Sequence, residues 1–268
     1  MLRKIIRNTF IERVICLFNN EMDSINVMIT WFSLEILIAM ILIFIGSFVQ
    51  TGIGFGLAIV VAPFLFMLNP DYVPVPLCLV VLLVSIMNTL KHKQSLQIGA
   101  LKAAMLGRIP GSLLGGIMLM LFSAKVLELY LGCLVLLAVA VSLCSIQIKP
   151  TPIKMGIAGF FSGVFGTSVA IGGPPMALLL QHEKAGSLRA NLSAFFLFSS
   201  VISLLIQLLA GYFEVKHLLL TLPLLPAIFL GHKVAHMQSQ KLPLIKMRIP
   251  VLCLCCISGL VAVVHGIN

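Results

Sequence analysis

The sequence predicts an all-α fold, a polytopic membrane helical bundle, on three observations. Hydrophobic residues make up 60% of the 268 residues and charged residues only 10%, whereas a soluble domain carries roughly 25% charged residues to solvate its surface. The apolar residues fall in runs close to the ~20 that one helical crossing of a bilayer needs. Lysine and arginine gather in alternate loops, which is how the ends of membrane helices are sorted. The runs are continuously apolar, which argues against a large barrel with alternating lumen-facing and lipid-facing residues.

Ten apolar segments follow one another. The first five run 32–50, 53–68, 73–90, 98–122 and 126–148, and the second five 153–169, 170–181, 190–212, 215–231 and 249–266. The second and seventh are short and begin at glycine-rich stretches. At ~1.5 Å per residue the seventh reaches only about 18 Å, well under a ~30 Å hydrocarbon core. Residues 1–31 contain MLRKIIRNTFIERVICLF, then Asn19, Asn20 and acidic residues, with no small-residue cleavage site. They are expected to form an amphipathic surface extension, not a removed signal, and residues 32–268 the membrane domain.

Orientation follows from the loops. Lys91, Lys93 and Lys102 come after the third segment, Lys149 and Lys154 after the fifth, and Lys184 and Arg189 after the seventh. Lys233, Lys241, Lys246 and Arg248 come after the ninth. The opposite loops hold only Lys125 and Lys216, so the odd-numbered loops are expected in the cytoplasm. That leaves Arg3, Lys4, Arg7 and Arg13 outside, partly offset by Glu12, Glu21, Asp23 and Glu35. Basic residues scattered this way form no face on a soluble module, which excludes a nucleic-acid partner despite the net charge of +10.

The two halves repeat one pattern. SFVQTGIGFGLAIVVAPFLFML in the first and GFFSGVFGTSVAIGGPPMALLL in the second each pair an apolar helix with a glycine break and a proline. Each is followed by three further segments. Repeats of odd segment number, 32–148 and 153–266, would lie inverted in the membrane, a plan found in secondary transporters.

The chain resembles the sulfite exporter TauE/SafE family of membrane transporters. The resemblance rests on TGIGFGLAIVVAP, NTLKHKQSLQIGALKAAMLGRIPGSLLGG, GVFGTSVAIGGPPMALLL with LRANLSAFFLFSS, and LPAIFLGHKVA, and covers about residues 36–266. It implies transport of small anions such as sulfite, sulfonates or related organosulfur compounds, usually outward, across a cell membrane such as the bacterial inner membrane. Phe55 between Gly54 and Gly56, and Ser168 and Ala170 ahead of Gly172, depart from the family's usual runs. Those departures leave substrate identity open.

The candidate substrate-binding residues lie at the breaks. Gly52, Gly54 and Gly56 admit backbone conformations other residues avoid and clear space for a ligand; the plainer reading is close helix packing. Gly172, Gly173, Pro174 and Pro175 suit a helix start, where a missing N–H costs nothing, and such a start can face an anion. Gly166 precedes Thr167 and Ser168, whose hydroxyls, with that of Thr51, are candidate donors. Arg108 is a basic residue well inside a segment; intramembrane charges cost roughly 2.5–3.5 kcal/mol and usually have a job, snorkelling being the alternative.

Other polar residues read more plainly. Lys102 is expected to snorkel, Asn88 and Asn191 to cap or bridge helices, and His92 and His182 to be solvated beside basic loops. Cys78, Cys133, Cys144, Cys253, Cys255 and Cys256 lie in apolar segments without a CxxC pair, which points to no disulfide framework or zinc site. His182-Glu183 lacks a second histidine, and no P-loop is present, so neither a zinc hydrolase nor an ATP-driven pump is indicated. The implied partners are the lipid bilayer and a small anion, with no cofactor and a homo-oligomer left open. A secondary anion transporter is the favoured function; an intramembrane enzyme or passive pore with the same broken helices stays open.

Overall fold

The computed structural model describes residues 34–143, 149–238 and 244–267, and every regular element among them is helical. The expected extension at 1–31 lies outside the described residues. The first half holds α1 (Leu34–Ile53), α2 (Leu57–Leu68), α3 (Val75–His92), α4 (Ile98–Leu121) and α5 (Ala124–Leu143). The second holds α6 (Pro152–Val169), α7 (Gly173–Leu180), α8 (Ala185–Leu209), α9 (Val215–Thr221), α10 (Leu225–Gln238) and α11 (Leu244–Ile267).

Two expected segments are corrected. The eighth begins at Ala185, not 190, because α8 carries a polar first turn beyond its apolar span. The ninth is divided into α9 and α10 by a 3₁₀ turn at Leu222–Leu224 and runs on to Gln238. Pro223 and Pro226 lack the N–H groups that would continue one ladder.

Five stretches are long and apolar enough to cross a bilayer: Leu34–Ile53, Pro70–Ser95, Leu101–Leu121, Ala185–Leu209 and Val215–Gln238. The α7 helix, at eight residues, reaches only ~12 Å and cannot span by itself. Along α4, Leu106, Leu113, Ile117 and Met120 are exposed while Arg108 and Ser112 are buried. Apolar side chains outward and polar ones inward is the arrangement lipid imposes.

Helix packing relates the halves. The third helix of each half, α3 and α8, pack together, as do the last of each, α5 and α11. The α4 helix lies along α6 so closely that a Cβ on Gly111 would stand 2.0 Å from Phe160 O, and one on Gly159 2.1 Å from Ala104 O. Small residues let lipid-embedded helices approach to backbone distance. In the reciprocal position, a Cβ on Gly231 of α10 would meet Phe44 O of α1 at 2.5 Å. This cross-packing is compatible with inverted repeats.

Candidate functional site

The first break follows α1. Gly54 has φ 100° and Gly56 φ 109°, values L-residues rarely adopt. A Cβ on Gly54 would also stand 3.2 Å from Arg189 Cα, so both conformation and space demand glycine there. Gly56 precedes α2 directly, and Gly52 is buried in the last turn of α1.

The second break follows α6. Ala170 takes φ 63°, and Ile171 N–H returns to Phe165 O at 3.2 Å, closing the helix end. Gly172 precedes α7, whose first turn contains Pro174 and Pro175, both partly buried. Two prolines remove two N–H donors from that turn, so among its first three residues only Gly173 has one to offer. The breaks touch: a Cβ on Gly173 would lie 3.5 Å from Phe55 and 3.7 Å from Ile59.

Arg108 is the charged centre beside the second break. It is only 2% exposed. Its guanidinium donates to Ser162 O, to Ser162 Oγ at 2.8 Å, to Ser203 Oγ at 2.8 Å and to Ser199 O at 3.5 Å. Every acceptor is neutral, no described carboxylate pairs with it, and its buried Nε makes no hydrogen bond. A Cβ on Gly166 would approach the guanidinium nitrogens at 2.5 and 2.7 Å, and one on Gly172 would approach at 2.8 Å. The glycines of the break are therefore the space the guanidinium occupies.

Around this centre the polar contacts continue. Thr167 Oγ1 lies 2.9 Å from Ser203 Oγ, and Gln207 Nε2 donates to Thr167 O at 2.9 Å. Ser162 Oγ also donates to Gly172 O. Ser168 is turned away, its hydroxyl donating to Val164 O one turn back in its own helix at 2.7 Å. Thr51 belongs elsewhere, with Oγ1 3.1 Å from His232 Nδ1.

The structure thus brings together Arg108, Gly166, Thr167 and Gly172. Gly173 is joined to the first break through Phe55, while Thr51 and Gly54 face His232 and Arg189. Ser162, Ser199, Ser203 and Gln207 were missed by sequence reasoning. Ser199, Ser203 and Gln207 recur every four residues and so share one helix face, a signal the sequence does carry. Asn191 bridges, accepting from Gln97 N–H at 2.9 Å and donating to Glu183 at 2.8 Å. Asn88 is buried with Oδ1 unpaired. His182 is exposed, but His92 is half-buried among Lys91, Arg189 and His236, not simply solvated. Among the described residues no group of three or more His, Cys, Asp or Glu could hold a metal ion.

Lipid-facing belts around buried polar chemistry at helix breaks define a multi-pass membrane protein on the plan of transporters. Residues 38–262 match the model of the sulfite exporter TauE/SafE family, and the chain belongs to this family of membrane transporters. No curated protein and no solved structure matches it.

Proposed function

We propose that this protein is a secondary transporter that exports sulfite, a sulfonate or a related small organosulfur anion by alternating access. The observation that carries the reading is Arg108, a buried guanidinium wrapped by neutral oxygens with no carboxylate paired to it among the described residues. An uncompensated charge at that depth is unfavourable. A small oxyanion supplies the missing negative charge and matches the fork of the guanidinium. Gly166 and Gly172 put no side chain against the guanidinium, and Thr167 and Ser203 add hydroxyls beside it.

In this reading the 32–148 and 153–266 repeats lie inverted, and their breaks meet near the bilayer midplane. Rocking of one half against the other exposes Arg108 to each side in turn. The protein works in the cell membrane, the inner membrane in a bacterium. No nucleotide motif is present in the sequence, so an ion or substrate gradient is the driving force, and no cofactor is called on.

The test is flux of sulfite from proteoliposomes with and without an imposed gradient. Gradient-dependent efflux that saturates with sulfite supports the reading. Flux that rises linearly with concentration indicates a pore, and no flux of sulfite or small sulfonates rules out this substrate class.

A further inference from the structure

The internal repeat relates Arg108 to a second residue. In α4 the order is Leu106-Gly107-Arg108, and in α10 it is Leu230-Gly231-His232. Both glycines mark a backbone crossing onto the first helix of the opposite half: a Cβ on Gly107 would lie 2.1 Å from Gly156 O in α6, and one on Gly231 2.5 Å from Phe44 O in α1. The residue after each glycine then reaches the break at the end of the helix it crosses. Arg108 connects through Ser203 to Thr167, three residues before the left-handed Ala170. His232 pairs directly with Thr51, three residues before the left-handed Gly54. His232 is the repeat counterpart of Arg108.

Its surroundings are basic. Lys91, His92 and His236 act electrostatically on His232, and Lys91, Arg189 and His236 on His92. Each of these neighbours is basic. Arg189 sits against Gly54, and its buried Nε makes no hydrogen bond. Arg189 of α8 and His232 of α10 thus stand at the first break, with Lys91 and His92 of α3 near enough to act on His232. Like charges repel when gathered, so such a cluster is poised for an anion. When Thr51 donates to Nδ1, the ring proton lies on Nε2, and His232 becomes an N–H donor.

We propose that His232 and Thr51, with Lys91, His92 and Arg189, form a second oxyanion site at the first break, where the anion docks before passing to Arg108. Its place in the transport path rests on the reading of Arg108 given above; its ability to bind an oxyanion does not. The positive-inside assignment places Lys91 and Arg189 on the cytoplasmic side of this break, the side from which an exported anion is collected.

Sulfite binding to the detergent-purified full chain, measured by calorimetry at low ionic strength, tests the site. Arg108→Gln should retain sulfite binding, and adding Arg189→Gln and His232→Gln should weaken what remains by about tenfold or more, as expected when charge-assisted hydrogen bonds are lost. In proteoliposomes, the Arg189→Gln/His232→Gln protein, with Arg108 intact, should show a KM for cytoplasmic-side sulfite raised about tenfold and an unchanged KM from the opposite side. An unaltered cytoplasmic-side KM in that protein overturns the proposal, whether or not Arg108→Gln folds. If the wild-type chain moves no sulfite, binding decides alone: loss in Arg189→Gln/His232→Gln upholds the site while the transport reading fails, and unchanged binding overturns the site.

Discussion

Arg108 donates to Ser203 Oγ at 2.8 Å, and the same oxygen lies 2.9 Å from Thr167 Oγ1. One serine of α8 therefore joins a charge on α4 to a hydroxyl at the end of α6. Because the charge has no carboxylate partner among the described residues, its removal should affect an anion more than the fold. Arg108→Ala should reduce sulfite flux by about 10- to 100-fold, the worth of charge-assisted hydrogen bonds at ~1.5–3 kcal/mol. Abundance in the membrane should stay close to wild type. Arg108→Lys keeps a charge but not the planar fork and should recover little. Wild-type flux in Arg108→Ala would return the residue to packing.

The glycines of the second break separate by what faces them. Alanine at Gly166 places a methyl 2.5 Å from a guanidinium nitrogen. The end of the arginine side chain can yield, so the protein should fold with Arg108 displaced from Ser162 and transport strongly reduced. Alanine at Gly173 has Phe55, Phe196 and Ile59 as its nearest neighbours at 3.5–3.7 Å, ordinary contact distances, and should transport nearly as wild type. Equal flux in the two variants would separate the break from the site of binding.

The helical spans, both breaks and Arg108 were legible in the sequence because hydropathy, glycine and charge are local signals. What Arg108 touches was not. Ser162 and Ser199 accept through backbone carbonyls, which any residue could supply. The hydroxyls of Ser162 and Ser203 accept as well, and only the four-residue spacing of Ser199, Ser203 and Gln207 marks that face in the sequence. The pairing of α4 with α6 depends on which glycine faces which backbone, a tertiary fact. Thr51 and Thr167 occupy matching places before the two breaks yet have different partners, His232 and Ser203. The sequence repeat shows the match and conceals the difference.

Stability should depend most on the α4–α6 crossing. A Cβ at Gly111 or Gly159 would overlap backbone atoms at 2.0–2.1 Å, and backbone cannot rotate away as a side chain can. Each alanine substitution should destabilise by at least ~1–3 kcal/mol, the usual range for overpacking, seen as a lower melting temperature in detergent. Gly99, with nothing within 4 Å of its Cβ position, should tolerate alanine within about 0.5 kcal/mol. Melting temperatures that fail to separate these variants would mean the helices stand further apart.

Sidedness offers the most direct test of how the chain is placed in the membrane. Lysine and arginine put the 91–97 loop in the cytoplasm and the turn between α4 and α5 outside. Each contains an exposed serine, Ser95 and Ser123, that cysteine replaces with little change in size. A membrane-impermeant thiol reagent applied to intact cells should label Ser123→Cys above the background of the native cysteines. Ser95→Cys should react only after the membrane is opened. The reverse pattern would invert the whole assignment and with it the face to which Lys91 and Arg189 belong. The cationic cluster at the first break would then face outward, where it would receive an anion for uptake instead of export.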